Sequence, residues 1–591
     1  MSPLYFIAVG VLLVTTPRAS SQPVNLDVDL GYGIYRGFHN DSTSLNIWKG
    51  IRYAAPPVGS LRWQAPRTPE PTGEVITADE FGPSCPQAFP SMSRPTVTFV
   101  PGDEDCLFLN VYSPDVVSED NPLPVFISIH GGGYGLGNGN QDMTDFMAAN
   151  DNSFIAITIQ YRLGAFGFLA SAEVKDRGIL NAGLLDQRFA FEWVKEHVSK
   201  FGGDPDRVTI AGESAGGGSV LLHSIAEDGG LGDSLFKNII AASPWVPTQP
   251  RYDDESRAQH YRDLAEALGC DAADAFDCLV EADSLELQRA ANLVSSSAPT
   301  FYGNWAFIPV TDDTYITGPP SILLAGLKGN VNGDRILIGN NANEGPLLIP
   351  PTIRTEDDLI AWIKGNFVNL SSRNISGLLE TYSSTSEPVD SAAPRFETSG
   401  LGPATAVNVS QAATGQQQRA YNMGAEGAVN CLGYWLASAF TGNNKTAWYY
   451  QYSVPFALHA TDLAAYYGPP TENQGPDLVT AFRRIYGNFI TTGNPSISSE
   501  TANGISSGAK EQMEHPASDW PAWDDEKPTM LNLNQTGGVP YSAYAPNGAQ
   551  ITQFREPGLR NDFSVVDAYN WEGGRGRRCE YWREIGPFVP V

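Results

Sequence analysis

Basic residues are scarce. The 591 residues carry 37 Lys and Arg against 66 Asp and Glu, a net charge of −29. A general nucleic-acid binder needs a basic face, so nucleic acid is excluded as a partner. After the first residues no apolar run is long enough to cross a bilayer, which excludes a membrane span. There is no internal repeat and no linker-like low-complexity stretch, which argues against a repeat array or a string of domains. A hydrophobic content of 42% is ordinary for a packed core. One domain with long insertions, residues 22–591, is the economical expectation.

Residues 1–21 have the pattern of a secretory signal peptide. Leu4–Val14 is an apolar core too short to span, and Ala19-Ser20-Ser21 offers small residues for cleavage before Gln22. The segment lacks the usual Lys or Arg at its start. Secretion permits disulfides, and the six cysteines are an even number. Cys85 and Cys106 bracket a proline-rich loop, Cys270 and Cys278 are close in sequence, and Cys431 and Cys579 remain. A link across a loop of about 20 residues is worth roughly 3 kcal/mol in the loop-entropy picture. Asn-x-Ser/Thr sequons begin at Asn40, Asn369, Asn374, Asn408, Asn444 and Asn534, and each is expected to mark surface.

The chain is organised around Val208-Thr209-Ile210-Ala211-Gly212-Glu213-Ser214-Ala215-Gly216-Gly217. A β-branched and apolar run reads as a buried strand, a glycine-framed serine follows, and Val220-Leu221-Leu222 begins a helix. Strand, sharp turn and helix around G-x-S-x-G form the nucleophile elbow of the α/β-hydrolases. A second match, Gly504–Gly508, lies in a polar stretch with no strand before it and reads as a loop. Other strand-like runs are 31–37, 45–53, 107–112, 124–130, 154–162, 335–339 and 447–454, with helical spacing over 184–197. Such alternation predicts a large, mostly parallel central sheet flanked by helices. Gly131-Gly132-Gly133 ends the 124–130 run. Glycines there let backbone N–H groups face a cleft, so Gly132, Gly133 and Ala215 are the expected oxyanion donors. Removing one such donor costs about 3–4 kcal/mol of transition-state stabilisation.

A serine hydroxyl needs a histidine base and an orienting carboxylate. In this fold they follow the serine in the order acid, then histidine. Only His223, His260, His459 and His515 lie after Ser214. His223 sits in the helix behind the elbow and reads as structural. His260 falls in the charged, helix-like segment 252–268 and reads as solvated. His515 lies in a polar stretch. His459 follows the 447–454 strand on a loop, where catalytic groups belong. Glu344 follows the 335–339 strand and is the expected acid.

The sequence resembles the type-B carboxylesterase family. The resemblance rests on Gly50-Ile51-Arg52-Tyr53-Ala54, Glu104-Asp105-Cys106-Leu107-Phe108-Leu109-Asn110-Val111, Tyr161-Arg162-Leu163-Gly164-Ala165-Phe166-Gly167-Phe168, and Phe201-Gly202-Gly203-Asp204-Pro205 with the elbow. It is most like secreted fungal carboxylesterases and covers most of 25–585. It implies disulfides Cys85–Cys106, Cys270–Cys278 and Cys431–Cys579, and an Arg62–Glu104 ion pair. It supports Glu344 in Asn-x-x-Glu-Gly and His459 in His-x-x-Asp, with Asp462 structural and Ser243 near the acid. Gln160 departs from the family's usual Asn. The implied activity is serine carboxylic-ester hydrolysis with no cofactor and no metal, on small-molecule or lipid-like esters, in the extracellular space. The Cys85–Cys106 loop has no tryptophan for a quaternary ammonium, so choline selectivity is not expected, and its prolines argue against a full lid. Trp245 is an expected acyl-pocket wall. A broad carboxylesterase leads. Lipase, sterol-esterase or aryl-ester activity comes second, and an inactive adhesion protein of the family comes last, because all three triad candidates are present.

Overall fold

The computed structural model describes residues 21–91, 99–118, 120–297, 303–382, 410–504 and 514–589. The expected signal segment up to residue 20, the Asn408 sequon and Ser506 of the second glycine-serine match lie outside these residues.

One sheet holds eleven strands. In chain order they are β1 (Phe38–Asn40), β2 (Leu45–Arg52), β3 (Phe108–Pro114), β4 (Leu123–Ile129), β5 (Ile155–Ile159), β6 (Gly203–Glu213), β7 (Asn238–Ala242), β8 (Arg335–Asn341), β9 (Thr446–Tyr452), β10 (Thr529–Leu533) and β11 (Ser564–Asp567). Across the sheet the order is β11-β10-β9-β8-β7-β6-β4-β5-β3-β2-β1. From β5 to β10 every neighbouring pair is parallel. The strands beyond, at both edges, pair antiparallel. This is the α/β-hydrolase architecture.

Strands buried on both faces read as continuous apolar runs rather than alternating ones, and β4, β5 and β7 do so. Within β4, Val125, Ile127 and Ile129 face one core, and Phe126 faces the other. The helices α1 (Ala182–His197) and α2 (Ala215–Ile225) pack into the first core, through Leu184, Phe191 and Val194 and through Val220, Leu221 and Ile225. The segment 31–37 is shorter than expected. Only Ile34–Arg36 is strand, paired in a separate three-stranded sheet, because Gly31 turns the chain at φ +85° just before it.

Two expectations are corrected. His260 is not solvated. It lies on helix α3 (Glu255–Ala267) with Tyr261, Leu264 and Ala265 on the inward face, 8% exposed, its Nδ1 3.0 Å from the Ala306 carbonyl. Asn534 does not mark surface. It is 1% exposed, between β10 and a two-stranded ribbon of Gln535–Tyr544 and Gln550–Asn561, and its side-chain oxygen accepts from the Gln535 N–H. Folded chain leaves no room for a glycan on that amide. Asn369 and Asn444 are exposed, and Asn40 and Asn374 half-buried.

Three disulfides join Cys85–Cys106, Cys270–Cys278 and Cys431–Cys579. Arg62 and Glu104 form a buried bidentate pair, with N···O distances of 2.8 and 2.6 Å. The same guanidinium donates to the carbonyls of Leu279, Val280 and Ala282, tying the base of the Cys85–Cys106 loop to the helix that carries Cys278. Gln160 serves its place in full: its amide donates to the Pro83 carbonyl and accepts from the Gly139 N–H. Among the described residues no helix is long and apolar enough to cross a membrane.

Candidate active site

The site lies at the carboxyl ends of β4, β6, β7, β8 and β9, where loops leave a parallel sheet and ligands bind. Ser214 sits between β6 and α2 with φ +58° and ψ −124°. A non-glycine residue held there is strained by about 1–3 kcal/mol. Its neighbours hold it: the Ser214 N–H donates to the Ala242 carbonyl at 3.0 Å, and its own carbonyl accepts from Gly218 and Trp245 at 2.8 and 3.0 Å. The turn is tight enough to require its glycines. A Cβ on Gly212 would lie 2.2 Å from the Gly216 carbonyl carbon, and one on Gly216 would lie 2.2 Å from the Ile129 carbonyl oxygen. The elbow therefore touches the end of β4, where Gly132 and Gly133 turn the chain at φ +103° and +66°.

Two loops bring the partners in. Glu344 follows β8 and His459 follows β9, neighbouring parallel strands. Asn343 bridges Leu458, and the Asn343 N–H donates to the Ala457 carbonyl at 2.8 Å, so the two loops are zipped together. Residues 245 and 115 positions apart thereby meet. The Ser214 hydroxyl is 2.8 Å from His459 Nε2, and His459 Nδ1 hydrogen-bonds Glu344 Oε2. The other Glu344 oxygen accepts from the Ser243 hydroxyl at 2.8 Å and the Asn341 N–H at 2.5 Å. Asp462 is buried and accepts from the Asn341 amide at 3.0 Å and the Tyr450 hydroxyl at 3.2 Å.

A family model, that of the carboxylesterase family, matches residues 24–547. The chain belongs to the carboxylesterase family. It is accordingly a carboxylic ester hydrolase, with esters as substrates. It is 35% identical to a para-nitrobenzyl esterase of Bacillus subtilis over 54% of its length, a match spanning 63% of that enzyme. To a secreted triacylglycerol lipase, LIP1, of Gibberella zeae it is 29% identical over 83% of the chain and 84% of the lipase. The solved structure of Aspergillus niger EstA superposes with a TM-score of 0.74 at 25% identity, over 96% of this chain and 99% of that one.

Against that family frame, Glu213 and Trp305 are residues to which the sequence assigned no role. Glu213 directly precedes the serine and is buried, one oxygen 3.5 Å from His459 Nε2 and without a hydrogen bond. Burial pushes its carboxyl up to about 8, against the pull of the His459 charge. Burial alone lowers the His459 imidazole, but the charges of Glu344 and Glu213 overcome it and hold it up, at about 9. Trp305 carries no motif. Its ring covers the Gly133 turn so closely that a Cβ on Gly133 would lie 2.0 Å from it, and its Nε1–H donates to the Ala88 carbonyl at 2.8 Å. Trp245 packs edge-on against it at 5.8 Å and beside Tyr134 at 6.1 Å. His223 is structural: it is buried, with its ring nitrogens 2.7 Å from the Tyr315 hydroxyl and 2.9 Å from Gln187 Oε1.

Proposed function

We propose that the protein is a secreted serine carboxylesterase that works through an acyl-enzyme on Ser214. The observation that carries this is the unbroken hydrogen-bonded chain Ser214–His459–Glu344. Ser214 Oγ attacks the ester carbonyl carbon while its proton passes to His459 Nε2. Glu344 holds the Nδ1–H tautomer and offsets the imidazolium charge. The N–H groups of Gly132, Gly133 and Ala215 take the carbonyl oxygen as it becomes an oxyanion. The alcohol leaves with the proton from Nε2. Water then repeats the sequence on the acyl-enzyme and frees the acid.

Trp245, whose N–H donates to the Ser214 carbonyl, and Trp305, whose ring covers the Gly133 turn, pack together beside the elbow, which supports neutral esters with a compact group on that side. A lipase is the second reading, supported by the similarity to the Gibberella zeae enzyme. Secretion is supported by the apolar leader of the sequence and by three disulfides, which persist in oxidising surroundings. Exposed Asn369 and Asn444 are the best placed for glycans, with Asn40 and Asn374 less open. Ser214→Ala decides the mechanism. Turnover of p-nitrophenyl acetate should fall by about 10⁴-fold or more, with an unchanged melting curve, and retained turnover would sink the assignment.

A further inference from the structure

A second cleft lies behind Trp305, with a volume of about 760 Å³. Its walls include Arg257 and His260 of α3, Ile308 and Phe367, and its rim carries Val368 and Phe588, 78% and 46% exposed. A slot of about 60 Å³ bordered by Trp245 shares Thr248, Asn304, Asn366 and Phe367 with it.

The charge arrangement in the cleft is unbalanced. Arg257 is half-buried and makes no ion pair with any described carboxylate. Its Nη1 donates to the Ala306 carbonyl at 2.9 Å and its Nε to the Ser256 hydroxyl at 3.3 Å. The nearest acid, Asp254, is taken up in capping α3, accepting from the Ser256 N–H and hydroxyl at 2.9 and 2.6 Å. Asp253 at the rim already pairs with Arg251. Desolvation holds the guanidinium below the usual arginine range, at about 10. A cation taken partly out of water, with Asp254 acting on its charge but no carboxylate hydrogen-bonded to it, is costly, and an anion that reaches it recovers part of that cost. Among polar neighbours the cleft also offers apolar surface, from Trp305, Ile308, Phe367 and Phe588.

We propose that this cleft is a second ligand site for an apolar chain ending in a carboxylate, with the carboxylate on Arg257 and the chain along Trp305, Ile308, Phe367 and Phe588. The acid freed by ester hydrolysis is such a molecule, and that identification rests on the ester-hydrolase reading. Arg257 and His260 both contact the Ala306 carbonyl.

The test is calorimetric titration of sodium decanoate into the Ser214→Ala protein, with decanol as the uncharged control. Decanoate should bind more tightly than decanol. Arg257→Gln should weaken decanoate by about tenfold or more, the scale of a lost hydrogen-bonded charge, and Arg257→Lys should restore most of it. Phe588→Glu, an exposed rim change that adds a like charge, should also weaken it and keeps the test valid if Arg257→Gln fails to fold. Equal binding of decanoate and decanol, or undiminished binding by both charge-altering variants, overturns the site. Hydrolysis of p-nitrophenyl acetate by the otherwise unaltered Arg257→Gln enzyme separates the two readings. Normal turnover with lost decanoate binding supports the cleft, whereas decanoate binding by a wild-type chain that hydrolyses nothing leaves the cleft standing and removes the esterase.

Discussion

Glu213 is the residue with the sharpest consequence for pH. Once ionised, above about pH 8, the Glu213 carboxylate 3.5 Å from His459 Nε2 stabilises the imidazolium, and the proposed reaction begins from neutral imidazole. Glu213→Gln removes that pull, so the imidazole stays neutral to lower pH. The rising limb of the kcat/KM profile should then move to lower pH than in the wild type, and a limb that stays put or moves up would refute the coupling. The sequence pointed to Ser214 and His459 by motif and by elimination, because few histidines follow the serine. It was silent on Glu213 and Trp305. A glutamate beside a serine has no distinctive spacing, and a tryptophan reveals a wall only when the chain that carries it lies against another.

At the scale of the element, the elbow depends on two closely apposed turns. The Gly216 backbone approaches the end of β4 so nearly that any Cβ meets the Ile129 carbonyl at 2.2 Å. Gly216→Ala should displace the serine relative to the β4 turn and lower kcat at least about a hundredfold, the effect of an ångström-scale misplacement. A variant with full kcat and an unchanged melting curve would show that the turn has slack. Most of the central strands of the sheet were legible. Runs of apolar and β-branched residues marked β4, β5, β6, β8 and β9 because buried parallel strands need both faces apolar, whereas the five-residue β7 was not picked out. Helix α3 was legible as a helix but not for its buried face. Its many charged residues suggested full exposure, while His260 packs inward against the Ala306 segment, a contact no local pattern encodes.

At the scale of the whole molecule, the Cys431–Cys579 link joins residues 148 apart and ties the C-terminal helix Trp571–Ile585 to the main body. Closing so long a loop constrains the unfolded chain by about 5 kcal/mol in the loop-entropy picture. The double variant Cys431→Ser/Cys579→Ser should lose stability on that scale in urea titration while keeping activity at low temperature, since neither cysteine touches the site. An unchanged midpoint would mean that packing of the helix alone sets its stability. By itself the sequence determined the fold class and singled out Ser214 and the order in which its hydrogen-bonded partners follow, because strand periodicity, glycine sterics and residue scarcity are local properties of a chain. Only the tertiary structure decided which second carboxylate lies beside His459, which tryptophan covers the Gly133 turn, and which sequon is buried. Those depend on distances between residues far apart in sequence and on the water that packing removes from around them.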